Sequence, residues 1–208
     1  MIPRSVQSVS AEVPVGATFW VPEEDDLGAH GEEGSFEYFE DAWFIRRVSA
    51  DAAASLVVAE KRLADLVDRY SDDAAQFEVV AHAIENDDPT DLPTDLVDAL
   101  DLWDEDEEFQ GDDLGNLEIG VAGLVAALNA SKVITAASCR GHHRPGLGVW
   151  STHPVVYFAG NRDQVEWLAP MVAAAGCGFS LDPERPRILV VEAPSISHTM
   201  SLAQLVLR

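Results

Sequence analysis

Positive charge is what this chain has least of: 13 Lys+Arg stand against 37 Asp+Glu, for a formal net charge of −24. A surface of that sign repels phosphate backbones and argues against direct nucleic-acid binding. Cysteine is scarce too. Cys139 and Cys177 are the only two, too few for a disulfide scaffold, and both are expected as free thiols in a reducing compartment. Long apolar runs are missing. The longest, residues 119–128, has about half of the roughly 20 residues that a membrane-spanning helix needs. Residues 1–16 lack the apolar core of a signal peptide, so the expectation is a cytoplasmic protein without a membrane partner. No internal repeat is present.

What the chain does have is an uneven charge. Residues 1–118 hold 32 acidic and 6 basic side chains, whereas residues 119–208 hold 5 and 7. Two parts are therefore expected. Residues 1–116 form an acidic, mainly helical N-terminal part, and residues 117–208 a compact α/β unit. An acidic face of this kind is usually only solvated, but it also suits an interaction protein that occupies a basic protein partner as a nucleic-acid mimic or as an assembly subunit.

Periodicity supplies the elements. Aromatic and β-branched content predicts strands at residues 17–21 and 42–48. After Ser49, the spacing of Leu56, Ala59, Leu63, Leu66, Val67 and Tyr70 predicts an amphipathic helix. A second helix follows from Ser71, with Phe77, Val80, Ala81 and Ile84 inward, and a short third one spans residues 95–103. Beyond Leu117 the pattern predicts a buried helix over 118–129 and strands at 133–137, 154–158, 177–181 and 187–191. A capped helix begins at Asn161 and stops at Gly176, and residues 199–207 form a last helix or strand. The fold class is α/β, with α+β as the variant, and a mixed sheet packed with helices in the C-terminal unit.

The densest chemistry lies in Thr135-Ala-Ala-Ser-Cys-Arg-Gly-His-His143, directly after an apolar strand. Three uses compete. Cys139 and His142 form a C-x-x-H pair, short of the three or four ligands that zinc takes, so no metal is expected. Cys139 beside Arg140, His142 and His143 has cationic neighbours that favour a thiolate nucleophile, although adjacent turn residues point apart. The favoured use is a pocket for a small anionic or nucleotide-like ligand. There Thr135 and Ser138 donate hydrogen bonds, Gly141 allows close backbone approach and Arg140 offers a planar fork, with His153 as a further contact. If the chain is an enzyme, His142 or His143 is the candidate for proton transfer, because imidazole titrates near neutrality.

Leu124-Val-Ala-Ala-Leu-Asn129 followed by Thr135-Ala-Ala-Ser-Cys-Arg-Gly-His142 resembles the hallmark segment of the methyltransferases of tRNA wybutosine synthesis, Thr-x-Ser-Ser-Cys-Ser-Gly-Arg after a Leu/Asn-bearing helix. The resemblance covers about residues 117–208, and this chain has Arg-Gly-His where the family has Ser-Gly-Arg. It implies a similar α/β unit and methyl transfer from S-adenosylmethionine; the residues themselves name no cofactor. The same segment is similar to bacterial proteins carrying Ser-Cys-x-Gly-His after a helix, which implies a small-molecule or nucleotide pocket.

Overall fold

The computed structural model describes residues 1–5, 8–22, 48–86, 88, 90, 92–104, 114, 117–142 and 151–208. All but the last residue of the strand expected at 42–48, and His143, lie outside them.

Helix α1 (Ala50–Arg69) opens on Ser49, whose hydroxyl accepts from Ala52 N at 3.1 Å. This satisfies one of the amides that a helix start leaves without a partner. Its inward stripe of Ala53, Val57, Leu63, Leu66 and Val67 includes one charged residue, Glu60. Helix α2 (Ala74–Glu85) begins at Asp73 rather than at Ser71. The Ser71 hydroxyl instead donates back to Val67 O at 2.6 Å and closes α1. Helix α3 (Thr94–Asp104) follows Pro93. Phe77, Leu63 and Leu96, all fully buried, join these three helices into one apolar cluster that also takes in Ile119, Ala122, Ile196 and Met200.

Helix α4 (Ala122–Ala130) is buried on every side from Ala122 to Asn129, as its unbroken apolar run requires. It begins four residues later than its apolar content predicts. A turn at residues 119–121 intervenes, with Gly120 at φ +100°. After it come β1 (Ile134–Cys139), β2 (Val155–Ala159), α5 (Arg162–Ala174), β3 (Gly178–Leu181), β4 (Leu189–Glu192) and α6 (Ile196–Val206). Helix α5 carries a full capping box between Asn161 and Gln164 and ends ahead of Gly176 at φ +70°. Residues 17–21 form no ladder. Trp20 N donates to Gly160 O at 3.0 Å.

The four strands pair in the order β1-β2-β4-β3, and all three ladders are antiparallel. The mixed α/β class therefore takes the α+β form, with no parallel pair among the described strands. Alternation along β2 separates the two faces of the sheet. Val156 and Phe158 join the main core with α4, α5 and α6, while Val155 and Tyr157 face the other way with Cys139 and Val190. A bulge between Thr135 and Ala137 shifts the β1–β2 register.

The compositional boundary near residue 117 is not a boundary in the packing. Helix α1 lies against α4 and α6, and Leu117 packs on both apolar clusters. No helix among the described residues is long and apolar enough to cross a membrane.

Candidate functional site

The end of β1 meets three carboxylates, Glu85 from the acidic N-terminal part and Glu118 and Glu192 from the C-terminal unit. Glu85, the last residue of α2, accepts from Ile119 N at 2.6 Å and forms an ion pair with Arg140 Nη1. Arg140 is 3% exposed. The fork expected to hold an anion is thus turned inward and paired within the protein. Burial pushes the Glu85 carboxyl above its usual range, against the opposing pull of Arg140.

Glu118 bridges backbone and side chain on the other side. One oxygen accepts from Arg140 N at 2.5 Å, and the other lies 2.9 Å from His142 Nε2. Glu118, His142 and the Cys139 thiol bring their ligand atoms within 4.8 Å of one another. Glu118 and His142 have side chains about one-third exposed (29% and 31%), whereas Cys139 is buried. Burial first, and the nearby Glu118 charge second, push the Cys139 thiol up to about 11. A neutral thiol is the result, so the cationic neighbours do not yield the thiolate expected of a nucleophile.

Gly141 makes this arrangement possible. Its φ is +87°, and a Cβ there would lie 2.6 Å from the His153 backbone. With only a hydrogen in that space, the chain turns so that Gly141 N donates to Cys139 Sγ at 3.3 Å and His142 N donates to Ser151 O at 2.8 Å. The His153 ring is half-buried beside this turn. Neither ring nitrogen has a hydrogen-bond partner among the described residues, and Nε2 stands 3.9 Å from Glu192 Oε1. The Ser180 hydroxyl donates to that same Glu192 oxygen from β3.

The remaining expected contacts are placed differently. Thr135 is buried and accepts from Asn129 Nδ2 at 2.8 Å, tying β1 to α4. Ser138 pairs with Val156 in the β1–β2 ladder, one position from Cys139 and therefore on the opposite face. Cys139, Arg140, Gly141, His142 and His153 do assemble at one end of the sheet. The remaining described histidine of the C-terminal unit does not add to this group: His198 Nδ1 bonds Ser195 Oγ at 2.8 Å, at the start of α6.

Sequence reasoning missed Glu60, Glu85 and Glu118. For Glu60 a signal existed, because it sits within the apolar stripe of α1, three residues from both Val57 and Leu63. Glu85 and Glu118 are two acids among many, and nothing local marks them. Comparisons of the chain with protein-family models, with curated proteins and with solved structures returned no match.

Proposed function

We propose that this chain is a small-ligand-binding protein that acts through the residue 135–143 segment, with its site at Glu118, Cys139 and His142 and with His153 alongside. The grouping of a carboxylate, a thiol and an imidazole at the end of β1 carries this reading, since these three side chains come from two separated segments and two of them reach solvent. The imidazole nitrogens of His153 beside the same turn, which have no hydrogen-bond partner among the described residues, support it, because buried polar atoms normally have partners.

The surrounding charges favour a ligand with electron-accepting or cationic character over the phosphate or carboxylate that Arg140 alone would suggest. The Arg140 guanidinium is already paired with Glu85, and the amides of Arg140, Gly141 and His142 are already donating to Glu118, Cys139 and Ser151. A free anion would meet the Glu118 carboxylate, with the three backbone amides of the turn already engaged.

Native mass spectrometry of the protein purified from its own host tests this reading. The expected spectrum shows a bound mass that survives desalting and disappears in His142→Ala. A bound mass that is unchanged in both His142→Ala and Glu118→Gln would refute it.

A further inference from the structure

We infer that Glu118, Cys139 and His142 form a three-ligand site for a borderline-soft divalent cation of the zinc type, an inference that rests on the binding site proposed above and specifies its occupant. Thiolate, imidazole and carboxylate are the donor set of zinc, bound at about 2.3, 2.0–2.1 and 2.0–2.2 Å respectively. Donors at those lengths around a tetrahedral ion stand about 3.3–3.8 Å apart. The three ligand atoms here lie within 4.8 Å of one another, with Glu118 Oε1 and His142 Nε2 at 2.9 Å. Side-chain adjustments of about 1 Å therefore bring all three onto one ion.

The supports around the ligands match what a metal requires. Glu118 is held through its second oxygen by Arg140 N, and Arg140 is fixed in turn by Glu85. Such outer contacts orient ligands and tune their basicity. Cys139 Sγ receives the Gly141 amide at 3.3 Å, a donor that stabilises the sulfur charge once the thiolate forms. On binding, the metal–sulfur bond replaces S–H and the proton leaves to solvent. The ion also displaces the direct Glu118–His142 contact: the proton on His142 Nε2 leaves to solvent or moves to Nδ1, and each group gives the ion a lone pair instead. Three protein ligands leave a fourth position open, as in zinc sites that take water or substrate rather than closed structural ones.

The C-x-x-H pair alone fell short of a ligand set, and the missing member comes from the turn before α4. The ion, not Arg140, is then the positive charge of this region, and it neutralises Glu118 together with the new thiolate.

Cobalt(II) titration of the full-length chain, first stripped by a chelator, tests the site. One equivalent should produce the near-ultraviolet thiolate-to-cobalt charge-transfer band and the strong visible bands of a four-coordinate ion, and added zinc should remove both. The band should vanish in Cys139→Ser and persist in Cys177→Ala. His142→Ala and Glu118→Gln should weaken zinc binding by more than about 100-fold, beyond the 10–100-fold typical of outer-shell changes.

A correctly folded wild-type chain that shows only the faint bands of six-coordinate cobalt on surface carboxylates would overturn the inference, as would a charge-transfer band retained by Cys139→Ser. An organic mass retained on native mass spectrometry together with no cobalt band would refute the metal and leave the ligand site standing.

Discussion

Glu60 Oε1, on α1, accepts the amide hydrogen of Gly120 at 2.9 Å, at the turn that leads into α4. Helix α4 has no side-chain cap of its own, and the amides of Ala122 and Gly123 also act on this carboxyl. A Cβ on Gly123 would stand 2.5 Å from Glu60 Oε2, so the carboxyl enters only because that residue is glycine. An acidic group from the N-terminal part thus serves as the helix cap of the C-terminal unit.

Glu60 makes stability depend on pH. Burial outweighs the three amides and raises its carboxyl from 4.5 to about 7. Between those values the folded protein holds a proton that the unfolded chain has lost, so this contribution is complete below pH 4.5 and fades as pH rises through 7. Its size is about 3 kcal/mol. Urea unfolding of wild type and Glu60→Gln at pH 5 and pH 8 measures it. The stability difference between the two proteins should shift by roughly that amount across the window, and a constant difference would contradict the buried, protonated carboxyl.

Arg140→Met should unfold the protein more readily. Removing one partner of a buried ion pair typically costs about 3–5 kcal/mol, because the other charge stays buried and alone. The companion change Glu85→Gln should recover part of that loss in the double variant. Thermal unfolding of the two single variants and the double variant tests both statements. Additive losses would mean that the pair is not coupled.

Gly141→Ala should cost about 2 kcal/mol or more, from positive-φ strain combined with the close His153 backbone. The variant should also lose the bond between His142 N and Ser151 O, visible as faster amide exchange at His142. Unchanged exchange would show that the turn does not need glycine.

Both thiols should be inert in the native protein. Burial pushes Cys139 up to about 11 and Cys177 to about 12, so at pH 7.5 the nucleophilic thiolate is a trace species at either site. A soluble disulfide reagent should find no thiol before denaturation and two after it. Rapid labelling of Cys139 in the native metal-free chain would contradict its burial.

Local features were the ones legible in the sequence. The Asn161–Gln164 capping box and the Gly176 stop are written within a few residues, and the stripe of α1 is a spacing rule, so each could be read directly. Ser71 shows the limit of that reasoning. It is a good capping residue, yet its hydroxyl closes the preceding helix while Asp73 opens the next. Arg140 shows a larger limit. Its planar fork suits an anion from outside, whereas its charge is balanced by Glu85 from another helix. Glu118 becomes a neighbour of Cys139 and His142 only after α4 and β1 fold back on the turn that carries it. Proximity of that kind arises from tertiary packing and leaves no periodic trace.

The Glu85–Arg140 pair also bears on the order in which the chain becomes competent to fold. The α1–α2 hairpin emerges first during synthesis, so both Glu60 and Glu85 are available before α4 and β1 leave the ribosome. A fragment starting at residue 117 would be born without its helix cap and without the counter-ion for Arg140. The N-terminal segment therefore acts on its own chain as a built-in assembly template, and the C-terminal unit is not a module that can be transplanted alone.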